Sequence, residues 1–227
     1  MTIPETIFTG LQRLQRANRP LDLLNLFKGV PIVYPAFVAG LDLETVTVRV
    51  PSFEVICLTL ETTTILLSQL LEEAVSAQVL SVDLALNQAT LGQLQYASQH
   101  VGDRMTVRVA PRQPIRVQLE CGGTALRGEL TDVSINGLGL HVPAGQAGAL
   151  RPRAVVSLSL PLPQPVTSAL ELSGTVRFVR VEGGLARVGI TFAQDVQMLS
   201  ILPYVRERQN EILAELKDLH DARPAPA

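Results

Sequence analysis

Apolar and polar positions along this chain change period twice, from helical to alternating and back to helical. Over residues 4–17, Ile7, Leu11 and Leu14 fall on one helical face, with Pro4 allowed in the first turn, and predict a short amphipathic helix. Pro20 restarts a second helix, with Leu21, Leu24 and Phe27 as its stripe and Gly29 as its stop. Both are expected to lid a sheet. From residue 29 to about 86 the period is two. Val46, Val48 and Val50 alternate with Thr45, Thr47 and Arg49. Ile56, Leu58 and Leu60 alternate with Val55, Cys57 and Thr59, which reads as a strand buried on both faces. A short strand at 64–67 and a longer one at 74–86, able to bend around a small barrel, complete an all-β unit punctuated by Pro51-Ser52 and Leu71-Glu72-Glu73. Residues 88–96 fit either a strand or two helical turns.

A polar junction at 97–103 separates this half from a second run of strands, expected at 115–120, 125–132, 137–142, 154–161, 170–181 and 185–193. Cys121-Gly122-Gly123 and Glu182-Gly183-Gly184 mark tight turns, and Pro161, Pro163 and Pro165 a loop. Six such strands suffice to close a small barrel. The chain then predicts a helix over 196–220. Met198, Leu202, Val205, Gln209, Ile212, Leu216 and Leu219 recur at steps of four and three, with Pro203 expected to kink the helix or restart it. Two outcomes stay open for that seam: self-association into a homo-oligomer, or folding back on the barrel.

Composition narrows the function classes. Hydrophobic residues make 47% of the chain and charged ones 18%, as in a folded globular protein. Net charge is −2, aromatics are 4% and Trp is absent, so neither a basic field nor a stacking platform for nucleic acid is expected. Only Lys28 and Lys217 are lysines, an Arg bias that fits bidentate anion recognition but also a GC-rich genome. Cys57 and Cys121 are too few for a disulfide framework, which points to a reducing cytoplasm. His100, His141 and His220 lack metal-ligand spacing, and no metal or cofactor is expected. The N-terminus has no signal-peptide pattern, and no apolar run reaches the eighteen or so residues of a membrane span.

The chemistry concentrates between Arg104 and Gly137. Arg104 and Arg108 lie four apart in a segment kept from helix by Val107, Val109, Pro111 and Pro114. A strand with Ile115, Val117 and Leu119 on one face follows. The next strand, carrying Leu126, Gly128 and Leu130, delivers Asp132, Ser134 and Gly137 to its far end. A basic fork facing an acceptor, a hydroxyl and a glycine suits a ligand with phosphates and a base edge. No His neighbours Asp132 or Ser134, no glycine loop resembles a phosphate-binding loop and no carboxylate pair stands out, so no enzyme is expected.

The "RMTVR" at 104–108 followed by "DVSING" at 132–137 resembles the two-part signature of PilZ domains, bacterial receptors for cyclic di-GMP. The resemblance covers roughly residues 100–195, including "ELSGTVRFVRVEGGLARVGITF", similar to the last hairpin of the family barrel. It implies a mainly β chain of two small barrels in tandem: residues 1–97 as N-terminal helices plus a PilZ-associated domain of the flagellar-brake type, and residues 98–227 as a six-stranded PilZ barrel with a C-terminal helix. It implies ligand contacts from Arg104, Arg108, Asp132, Ser134 and Gly137, with relay through interdomain rearrangement or a protein effector. Family members often carry a second Arg just before the first motif Arg, where this chain has Asp103. An anion there leaves open whether one ligand or an intercalated pair is held. Arg112 and Arg116 continue the spacing and could rim the site. The competing reading is a degenerate PilZ-like module that binds a protein partner and no nucleotide.

Overall fold

The computed structural model describes residues 2–97, 107–193 and 195–222, with only the helical backbone over 195–198. The chain is mainly β, with two closed six-stranded antiparallel barrels in tandem, short helices and a long C-terminal helix. It forms two compact units, residues 1–105 with 213–227, and residues 106–212. The division expected at 97/98 falls at the edge of the undescribed residues, as does the junction itself.

The first unit runs α1 (Glu5–Ala17), β1 (Leu21–Phe27), β2 (Val30–Leu41), β3 (Thr45–Arg49), α2 (Val55–Leu60), β4 (Thr63–Leu67), β5 (Val75–Asp83) and β6 (Gln88–Tyr96), closing in the order β1-β2-β3-β6-β5-β4. Helix α1 buries Ile7, Leu11 and Leu14 as expected, and ends on Asn18 in the left-handed conformation. The second expected helix is instead strand β1. Its leucines satisfy both periods, but Lys28 and Gly29 take φ of 50° and 86°, the hairpin geometry that joins two strands, and the burial of Leu21, Leu23, Asn25 and Phe27 then alternates. The strand expected through Ile56, Leu58 and Leu60 is the helix α2, packed on β1, β5 and β6. Four successive residues, Val55 to Leu58, are buried, and such a short apolar run does not distinguish the two structures by period. Residues 88–96 are a strand. Strand β5 bends through register shifts at Ser76/Gln78 and Val79/Ser81. In the barrel interior the Tyr34 hydroxyl (2.8 Å) and the Thr64 hydroxyl (2.9 Å) both donate to Asn25 Oδ1, so this buried polar cluster is satisfied.

Cys57 sits buried in α2, and burial pushes its thiol from 9.0 up to about 11. Between those values the unfolded chain gives up a proton that the folded chain keeps, so stability should fall as pH rises through this window. At pH 8 a thiol reagent should label Cys57 only as fast as the unit opens. Immediate stoichiometric labelling of the folded protein would contradict this.

The second unit contains β7 (Arg116–Cys121), β8 (Thr124–Ser134), β9 (Gly137–Pro143), a 3-10 turn at Ala144–Ala149, β10 (Val155–Leu160), β11 (Leu170–Glu182) and β12 (Leu185–Phe192), closing in the order β10-β11-β12-β9-β8-β7. The strands lie where the alternation places them. Gly122-Gly123 and Gly183-Gly184, all at positive φ, make the two tight turns. Helix α3 (Asp195–Asp221) runs continuously through Pro203. Pro203 lies on the exposed side, where water can satisfy the carbonyl that proline cannot pair. The buried stripe of α3 is Ile201, Tyr204, Val205, Arg208, Ile212 and Leu216. It differs from the expected seam: Leu202 and Gln209 are half-buried and Leu219 is exposed, because a straight helix drifts from a strict seven-residue repeat. The Met198 side chain lies outside the described residues. Ile212 and Leu216 are fully covered within a single chain. No helix among the described residues is long and apolar enough to cross a membrane.

Candidate functional site

Strand β8 has to keep Leu130 and Val133 in the barrel interior, two positions with two residues between them. A bulge accommodates this: the register with β9 shifts between Leu130 and Asp132. Thr131 and Asp132 are therefore turned out, half-buried, on the barrel's outer face. The segment before the barrel is pinned beside the same place. Val109 and Val133 exchange both backbone hydrogen bonds, at 2.9 and 3.0 Å, and Val109 is fully buried. Alternation then sends Arg108 outward. Its Nη1 donates to Asp132 Oδ1 at 2.7 Å, with the two side chains 38% and 20% exposed. The Thr131 hydroxyl donates to Asp132 Oδ2 at 3.1 Å, and Arg187 Nη2 on β12 approaches the same oxygen at 4.0 Å.

Ser134 and Gly137 stand differently. Ser134 is fully buried; its hydroxyl donates to the Gly137 carbonyl (3.1 Å) and accepts from the Asn136 N–H (3.3 Å), holding the β8–β9 turn. Gly137 does not take a positive φ. Its requirement is space: a Cβ would lie 2.2 Å from the Ile190 carbonyl oxygen of β12. Asp132 and Arg108 thus present the exposed chemistry, and Ser134 and Gly137 fix the turn beside them. Arg104 lies outside the described residues, as does Asp103.

Two arginines of the same run go elsewhere. Arg112 and Arg116 line a recess of about 500 Å³ with Pro161, Tyr204 and Glu211, which shares no residue with 132–137. Arg208 was not anticipated at all, since its place in the helix reads as a solvated position. It is 4% exposed, donates from Nε to the Ala110 carbonyl at 2.9 Å and pairs with Glu211 at 2.8 Å, so it ties the segment just after Arg108 to α3. Arg187 was also missed. It is an outward strand residue, and only the register of β12 against β9 brings it near Asp132. Among the described residues no group of His, Cys, Asp or Glu is disposed to hold a metal ion.

Residues 103–206 match the family model of the PilZ domain. Nothing among curated proteins matches the chain. Solved structures similar to it include the PilZ domain with c-di-GMP of YcgR from Escherichia coli, at 16% identity and a TM-score of 0.43, over 50% of this chain and 97% of that one. The K. pneumonia MrkH–c-di-GMP complex aligns over 97% of both chains at 13% identity and a TM-score of 0.42. The Bacillus subtilis inhibitor of motility (MotI/DgrA) aligns over 85% of this chain and 96% of that one, at 11% identity and a TM-score of 0.45.

Proposed function

Taking as premise that residues 103–206 are a PilZ domain, we propose that the chain is a receptor for cyclic di-GMP and binds it at Arg108 and Asp132. The observation that carries this reading is the 2.7 Å contact between the first residue of one half-motif and the last arginine of the other, on side chains both open to water. The two halves are 24 residues apart and meet on the barrel surface. A half-exposed pair of this kind stabilises the fold by less than about 1 kcal/mol, so a ligand opens it at small cost. Arg108 can then take a phosphate oxygen pair, while the Asp132 carboxylate accepts from the N1–H and exocyclic N2–H₂ of a guanine. Ser134 and Gly137 serve by holding the turn that carries Asp132. The resemblance assigns Arg104 the second guanidinium of the fork. Equilibrium dialysis tests specificity: labelled cyclic di-GMP should be retained, displaced by the unlabelled compound, and left in place by the same concentration of GMP or GTP. Equal displacement by GTP would contradict the reading.

The relay follows from where the arginines sit. Arg108 is already held beside Asp132 by the Val109–Val133 bridge. Arg104 comes earlier in the chain, next to the junction with the first unit. A ligand that takes Arg104 together with Asp132 fixes the residues before Arg108 against the barrel and biases the orientation of the first unit or exposes a surface to a protein effector. The bias is limited to the ligand's differential affinity for the ordered arrangement, a few kcal/mol. Small-angle scattering should therefore change on saturation with cyclic di-GMP, and not change for Asp132→Ala. Identical profiles for free and saturated wild type would remove the interdomain route and leave the effector.

A further inference from the structure

The recess that takes in Arg112 and Arg116 lies wholly within the second unit. Its walls are the segment leading into β7, the loop between β10 and β11, and helix α3, around a volume of about 500 Å³. Small-molecule sites run from roughly 300 to 1,000 Å³. Ile115 and Leu162 are 8% and 5% exposed and give the recess an apolar side. Pro114, Pro161 and Pro163 continue that side, and their fixed φ keeps it in shape before anything binds.

Tyr204 on α3 supplies an unmet polar group. It lines the recess at 4% exposure, and its hydroxyl makes no hydrogen bond to any described residue. The hydroxyl is not among the polar atoms sealed off without a partner, so it opens on the recess. Burial raises its pKa above the ordinary 10.0, and near neutral pH it stays an O–H donor. A donor so placed calls for an acceptor.

The charges around it decide which acceptor. Glu211 is taken by Arg208, at 2.8 Å. Arg112 and Arg116 are exposed and form no ion pair with a described residue. Glu129, opposite Arg116 in the β7–β8 register, lies outside the recess. Among the described residues Glu207 is then the unpaired carboxylate of the lining, against two guanidinia. That balance suits a single negative charge and disfavours a polyanion.

We propose that this recess is a second ligand site, for a small organic monoanion with an apolar body, of the aryl or medium-chain carboxylate class. Arg112 and Arg116 take the carboxylate, and the Tyr204 hydroxyl donates to one of its oxygens. The body lies against Ile115, Leu162 and the prolines. The site is separate from Arg108 and Asp132 and does not depend on what binds there.

The probes are 2-naphthoate and decanoate, titrated into the full chain by calorimetry. At least one should bind saturably, one per chain, with 2-naphthalenemethanol and inorganic sulfate each at least about tenfold weaker. Tyr204→Phe keeps the ring in place, so the thermal midpoint should hold. Affinity for the carboxylate should fall about tenfold, the scale of one charge-assisted hydrogen bond. Arg112→Gln, at an exposed position, should cost a similar factor. Saturating cyclic di-GMP should leave the carboxylate bound. No saturable uptake of either carboxylate, equal uptake of the alcohol, or wild-type affinity in either variant would overturn the proposal. Displacement of the carboxylate by cyclic di-GMP would overturn it too, by merging the recess with the Arg108–Asp132 site.

Discussion

Asp132→Ala should weaken the binding of cyclic di-GMP by roughly ten- to a hundred-fold, about 1.5–3 kcal/mol, while leaving the barrel folded. The loss has two parts. Charge-assisted hydrogen bonds to the guanine edge disappear, and the base donors that they met are left without a partner at the barrel surface. One small term opposes them: with the carboxylate gone, the ligand no longer has to open the 2.7 Å pair to Arg108, worth less than about 1 kcal/mol at this exposure. The net effect remains large and unfavourable. Arg108→Ala should cost a similar amount for the complementary reason, loss of the phosphate contact. Stability should fall by no more than about 1 kcal/mol in either variant, since both side chains are half-exposed and neither supports the core. Calorimetry for affinity and urea unfolding for stability separate the two quantities. Equal affinity for wild type and Asp132→Ala would place the ligand elsewhere.

Gly137→Ala should have the larger structural effect, about 3 kcal/mol of destabilisation, at the upper end of what overpacking costs. The added methyl would stand 2.2 Å from the Ile190 carbonyl oxygen and 3.2 Å from both the Ile190 carbonyl carbon and Thr191 Cα. All three are backbone atoms of β12, so no rotamer change relieves the clash and the β9–β12 pairing at Gly137 and Thr191 has to open. Ligand binding should fall with it, because the Ser134 hydroxyl is bonded to the Gly137 carbonyl in the turn next to Asp132. Gly122→Ala is the control. That glycine has φ of 56° and nothing within 4 Å of the added carbon, so only the left-handed conformation opposes the change, about 1 kcal/mol. Urea unfolding of the two variants checks the difference. A Gly137→Ala protein within 0.5 kcal/mol of wild type, on the usual scale of surface substitutions, would contradict the steric account.

What was legible in the sequence follows from which signals are local. In the second barrel, alternation and diglycine turns agree at each hairpin, and the strands lie where that agreement puts them. In the first, the run from Leu21 to Phe27 carries leucines at both spacings, and the decision lies in the positive φ of Lys28, a residue that does not announce a turn. The run from Val55 to Leu58 is buried on every side, so its helix leaves no polar face to read. The candidate site divides in the same way. Asp132, Ser134 and Gly137 are one motif on one turn and could be named together, although the sequence does not tell that Ser134 faces inward. The bulge that turns Asp132 out, the Val109–Val133 bridge that brings Arg108 to it, and the approach of Arg187 are products of register between strands far apart in the chain. Arg208 is harder still, since an arginine on a helix reads as solvated until the segment it bonds is in place.

The central claim is tested most directly by titrating cyclic di-GMP into the intact chain by calorimetry, beside Asp132→Ala at the same salt concentration. The account predicts saturable binding for the wild type, affinity lower by roughly ten- to a hundred-fold for the variant, and far weaker binding of GTP or GMP to either. A folded wild-type chain that takes up no cyclic di-GMP would contradict it and favour a PilZ-like module that works through a protein partner alone.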